Sequence, residues 1–85
     1  MRNVNVEKQI LLALNDRPVG AKFHSLMSDV ENATDNYLLT TEEFKRVLSR
    51  LKDREMITVE TNPLGTEFYS ITTLGRQTIR EEGWI

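Results

Sequence analysis

TTEEFKRVLSRLKDREMITVE, residues 40–60, changes its hydrophobic period partway along. Phe44, Val47, Leu48 and Leu51 recur at i, i+3, i+4 and i+7, the spacing of one helix face. From Met56 the pattern becomes that of a strand, with Ile57 and Val59 alternating with Thr58 and Glu60. Thr40 followed by Glu43 reads as a capping box: the hydroxyl accepts from a free backbone amide, and the carboxylate reaches back to the cap. Thr41 is a competing cap one residue later. The helix carries Lys45, Arg46, Arg50, Lys52 and Arg54, nearly cancelled by Glu42, Glu43, Asp53 and Glu55. Such a surface either meets a partner or is only a solvated face over a core.

Outward from this stretch, the rest of the chain falls into recognisable elements. Toward the N-terminus, Asn3 or Asn5 can cap a first helix, with Glu7 in its first turn where the helix dipole favours a negative charge. Val6, Ile10, Ala13 and Leu14 make the buried stripe of that helix, and Leu11 widens it. NDRPVG, residues 15–20, ends the helix with Pro and Gly together. A second short helix is expected from about Ala21 to Val30, with Phe23, Leu26, Met27 and Val30 inward. ENATDNY, residues 31–37, is polar and reads as an exposed turn, and its Asn32-Ala33-Thr34 sequon reads as loop sequence.

Toward the C-terminus, MITVET and TEFYSI flank NPLG, so Pro63 and Gly65 predict a tight hairpin loop. In the returning strand Phe68 alternates with Tyr69. TTLGRQTIREEG then predicts a last helix, capped by Thr72 or Thr73, with Leu74 and Ile79 as apolar contacts and Gly83 just past its end. The order is helix, helix, helix, hairpin, helix: an α+β winged helix, a three-helix bundle with a β-hairpin wing and a C-terminal helix. At 85 residues one domain over 1–85 is expected, with a small core.

Composition narrows the function classes. Hydrophobic residues at 39% and charged residues at 28% are ordinary for a globular protein and argue against disorder. Without cysteine there is neither a disulfide scaffold nor a thiolate metal site, which favours a cytoplasmic location. ILLAL, residues 10–14, is far too short to span a bilayer, and the N-terminus lacks a signal-peptide pattern. The net charge of -2 means that any nucleic-acid binding must come from local placement of charge.

Residues 38–80 carry a resemblance to a known family. TTEEFKRVLSRLKDREMITVE with GTEFYSITTLGRQTI resembles the winged helix-turn-helix transcription regulators, especially the PadR-like and MarR-like groups. Their short Y-x-I/L-T-x-x-G-R segment is matched by Tyr69-Ser70-Ile71-Thr72-Thr73-Leu74-Gly75-Arg76. Two departures stand out. Glu55 occupies the place where these families have a glycine after the recognition helix, a position at which positive φ would strain it mildly. The wing tip, Asn62-Pro63-Leu64-Gly65, lacks the family's arginine or lysine and is flanked by Glu60 and Glu67.

The resemblance implies a small dimeric transcription regulator that binds double-stranded DNA, with residues 40–54 as its recognition helix. In a helix-turn-helix the N-terminal half of that helix meets base edges. Thr40, Thr41, Lys45, Arg46, Ser49 and Arg50 are residue types that contact phosphate or bases, and Glu42 can accept from a cytosine amino group. Lys22 and His24 are placed on the second helix, where a phosphate contact is natural, and Lys22, Lys45 and Arg54 are the expected phosphate contacts. The plain alternative is a solvated face held by i,i+4 pairs such as Glu42–Arg46. A second functional class stays open beside DNA binding: a winged helix used for protein–protein contact. Trp84 and Ile85 either cover the chain's own core or bury against a second copy, where Leu11 and Ile79 would join them. Asp29, Glu31 and Asp35 lack the spacing of a calcium loop. Ser25, His24 and Asp29 form no credible triad, and there is no phosphate loop or HExxH pattern. No enzyme, cofactor or metal is expected.

Overall fold

The helix expected over residues 40–54 forms as α3, Thr41–Asp53, in the computed structural model, which describes residues 4–35 and 39–85. Before it come α1 (Val4–Asn15), β1 (Ala21–Lys22) and α2 (Phe23–Thr34); after it come β2 (Ile57–Thr61), β3 (Glu67–Ile71) and α4 (Thr73–Glu81). Thr40 is the cap of α3, its Oγ1 accepting from the Glu43 amide at 3.1 Å. The four residues of the apolar period, Phe44, Val47, Leu48 and Leu51, are all buried. They meet Ile10, Leu11 and Leu14 of α1, Leu26 and Val30 of α2, Ile57 of β2 and Ile79 of α4 in one core. Burying a leucine or phenylalanine contributes roughly 1.5–3 kcal/mol, so these side chains dominate the stability of so small a chain. Among the described residues no helix is long and apolar enough to cross a membrane.

The stop between α3 and β2 is where the missing glycine mattered, and the chain turns without it. Glu55 adopts φ 63, the left-handed conformation that a glycine would occupy. Its amide donates to Lys52 O at 2.9 Å, and the Met56 amide donates to Leu51 O at 3.0 Å, the bond pair of a Schellman motif. The chain therefore makes this turn without a glycine, at the cost of a strained glutamate.

The last turn of the sheet locks onto the same corner. Thr72 caps α4, its Oγ1 accepting from the Gly75 amide at 3.0 Å and donating to Glu55 O at 2.7 Å. The Thr72 amide donates to Met56 O at 3.0 Å. Gly75 lies against that backbone so closely that a Cβ would stand 2.4 Å from Met56 O and 2.7 Å from Ile71 Cγ1. The threonine and glycine of the T-x-x-G-R segment thus have a shared physical role: they clamp the start of α4 onto the end of α3.

The sheet differs from expectation by one strand. Ala21 and Lys22 do not begin α2; they pair with Tyr69 and Phe68, giving the antiparallel order β1-β3-β2. A two-residue strand carries no period of its own, and the free edge of β3 supplies the pairing that draws it out of the helix. At its other end α2 runs past Val30 to Thr34, so Glu31 and the sequon are helical rather than loop. Asp29 pairs with Arg17. Asn3, one candidate cap of α1, and Asn36 and Tyr37 of the expected turn lie outside the described residues, while Asn5 lies inside α1. Leu74, expected to face inward, is 43% exposed, because Gly75 and Ile79 carry the buried side of α4.

Candidate nucleic-acid interface

The face of α3 opposite its buried stripe is open. Thr41, Glu42, Glu43, Lys45, Arg46, Ser49, Lys52 and Asp53 are exposed. Since i, i+4 and i+7 residues share a helix face, Lys45, Ser49 and Lys52 form one row. That row borders a cleft of about 290 Å³ between α3 and the wing, closed on the far side by Val59, Glu67 and Tyr69. Arg46 stands on the next row, beside Ser49 and Asp53. Among the described residues no ion pair joins Glu42 to Arg46, so the i,i+4 pair that would make this a plain solvated face is not formed.

Lys45 is placed by its neighbours. Its Nζ lies 5.8 Å from the centroid of the Phe23 ring, a cation–π distance. Phe23 is itself fixed edge-on to Phe44, with ring centroids 5.3 Å apart. Lys22, one residue earlier, is exposed at the end of β1 and stands at the cap position of α2 rather than within it. Lys22 thus precedes the aromatic residue over which Lys45 of α3 lies. His24 is exposed, its ring edge-on to Phe23 at 5.4 Å.

Two expected DNA contacts point elsewhere. Arg50 and Arg54 each place Nη1 3.7 Å from Oε1 of Glu7 on α1. Glu7 is 2% exposed, the one charged residue in the core among the described residues. At that separation the contacts are ion pairs and not hydrogen bonds. Removing one partner of such a buried pair leaves an uncompensated charge, whereas an exposed pair is worth at most about 1 kcal/mol. The two arginines are therefore turned toward α1 by a partner that sequence patterning treated only as a helix-dipole charge. Lys52, by contrast, was not among the expected contacts yet stands on the open row; its i+7 spacing from Lys45 was the available signal.

The wing is acidic and tightly turned. Asn62 Oδ1 accepts from the amides of Leu64 at 3.0 Å and Thr66 at 2.9 Å, and Gly65 takes φ 83 to close the loop. Leu64 at the tip is 91% exposed. On β3 the Tyr69 hydroxyl donates to Glu67 Oε2 at 3.1 Å. Burial first, then this hydrogen bond and the charge of Glu67, push the Tyr69 phenol up to about 12.

The expected dimer residues separate into two pairs. Leu11 and Ile79, at 1% and 0% exposed, are consumed by the monomer's own core and offer no surface to a second copy. Both lie in the core where α1 and α4 pack together. Trp84 folds back against the core, its amide donating to Ile79 O at 3.0 Å, while Ile85 is 70% exposed.

Comparison with known proteins gives the fold its parallel. No family model matches the sequence, and no curated protein matches it. The crystal structure of SSV1 F-93 superposes with a TM-score of 0.63 at 17% identity, covering 84% of this chain and 74% of that one. Helices α1–α3, the β2–β3 hairpin and α4 are a winged helix.

Proposed function

We propose that the chain is a small DNA-binding transcription regulator that lays α3 in the major groove. The observation that carries this is the open row Lys45, Ser49 and Lys52 with Arg46 beside it, on the one helix that a winged helix inserts into DNA. Arg46 is the base-reading candidate, since a guanidinium can make two bonds to guanine. Lys45 and Lys22 flank it for phosphate, and Thr41 and Glu42 stand in the first turn, where base edges are nearest. The likeness to the PadR-like and MarR-like groups supports the same use.

Binding to random-sequence and selected duplexes at two salt concentrations tests the reading. Arg46→Ala should cost on the order of 1–3 kcal/mol on a selected site and relax preference at one base pair. Lys22→Ala should weaken all duplexes alike and lower the salt slope by about one unit. Unchanged affinity at low salt in both variants would sink it.

A second reading is favoured by the wing. Glu60 and Glu67 beside an exposed Leu64 suit a protein surface better than a phosphate backbone. In that case the module makes protein–protein contacts, and Leu64→Asp would abolish partner capture while leaving duplex binding absent throughout. For either function we propose a homodimer formed through Ile85 and the outer side of Trp84. Removing Trp84 and Ile85 should then lower the mass found by light scattering to that of one chain.

A further inference from the structure

Glu7 is a carboxylate in the core facing two guanidiniums, Arg50 on the helix proposed to read DNA and Arg54 at that helix's C-terminal cap. The three charges sum to one excess positive charge. Arg50 Nη1 is buried and makes no hydrogen bond among the described residues, so it is held toward Glu7 by charge alone. Arg50 also borders the outer surface of α3 beside Lys45, Arg46 and Ser49, and its side chain is 37% exposed. Arg54 is 33% exposed. Each guanidinium has a buried anion on one side and solvent on the other, with no hydrogen bond fixing Arg50 Nη1 to the first.

We propose that Glu7 is a specificity-determining residue, which acts by withholding Arg50 and Arg54 from the phosphate backbone. The inference rests on the DNA-binding reading of α3. Sequence-independent affinity grows with every phosphate neutralised, each adding about 0.9 to the slope of log affinity against log salt. Base contacts discriminate only while that term stays small beside them. Two more arginines on the backbone would bind every duplex more tightly and dilute what Arg46 reads. A charge in the core of α1 therefore sets how much of the recognition helix's positive charge is available. It also explains why the helix has five basic residues over positions 45–54 while its outward face shows only three of them unpaired to Glu7.

The test is binding to a random-sequence duplex across a salt series. Glu7→Gln keeps the shape and removes the charge; its slope should steepen by about one to two units. The double variant Arg50→Gln, Arg54→Gln should keep the wild-type slope, and the triple variant should return to it. A wild-type slope in a folded Glu7→Gln protein overturns the proposal. So does a slope that falls by about one unit or more in the double variant, because the arginines would then already touch phosphate. Should Glu7→Gln fail to fold, the double variant decides alone by the same criterion. Should the wild type bind no duplex at all, the DNA reading fails separately, and retention on immobilised heparin decides the inference: later elution of Glu7→Gln supports it and equal elution overturns it.

Discussion

Replacing Gly75 with alanine tests the corner that joins α3, β3 and α4. In an ordinary helix the change would stabilise, since glycine is about 1 kcal/mol less favourable than alanine. Here the added Cβ would stand 2.4 Å from Met56 O and 2.7 Å from Ile71 Cγ1, where ordinary contacts begin at 3.4 Å. The backbone oxygen must therefore retreat by about 1 Å. That oxygen accepts the Thr72 amide at 3.0 Å, and Thr72 Oγ1 donates to the neighbouring Glu55 O at 2.7 Å. Overpacking costs about 1–3 kcal/mol, and a weakened hydrogen bond about 1 kcal/mol more. Against the propensity gain, the net is a loss of about 2 kcal/mol. For a domain of this size each kcal/mol shifts Tm by about 4–8 °C, so Gly75→Ala should melt roughly 8–16 °C lower when followed by circular dichroism. Gly65→Ala is the control: nothing lies within 4 Å of its Cβ, and only the strain of φ 83 remains. An equal or higher Tm for Gly75→Ala would refute the clamp.

The opposite sign is expected at Glu55, which holds φ 63 without a glycine's freedom. Glu55→Gly relieves strain of about 1–2 kcal/mol and gives back part through a looser unfolded chain, so urea denaturation should show a net gain of about 0.5–1 kcal/mol. Leu48→Ala and Leu51→Ala should each destabilise by about 2–5 kcal/mol, as buried leucines do, and a loss below about 0.5 kcal/mol would mean the inward face of α3 is misassigned. The Tyr69 phenol, raised to about 12, favours the neutral form in the folded state. Its contribution is whole below the ordinary tyrosine value of about 10 and is lost as pH rises from there through about 12. Ultraviolet absorbance of tyrosinate should show one late-titrating phenol that Tyr69→Phe removes.

The sequence by itself determined the elements whose signals are local. The i, i+3, i+4, i+7 row in α3, the Thr40 hydroxyl cap and the alternation in β2 depend only on neighbouring residues, and all three form, although among the described residues the Glu43 carboxylate does not return a bond to the cap. The Asn62–Thr66 loop is equally local, since an asparagine side chain and a glycine suffice to turn it. What needed tertiary structure was whatever a distant partner decides. Ala21 and Lys22 become a strand only because β3 offers an edge. Leu11 and Ile79 are core rather than surface because α1 and α4 pack against each other within the one core. Glu7 was partly legible: it shares the helical spacing of Leu11 and Leu14, and a charge on a buried stripe calls for a partner. Period and propensity cannot say which partner. Arg50 and Arg54 lie more than forty residues away, and only the packing of α1 against α3 brings them to Glu7.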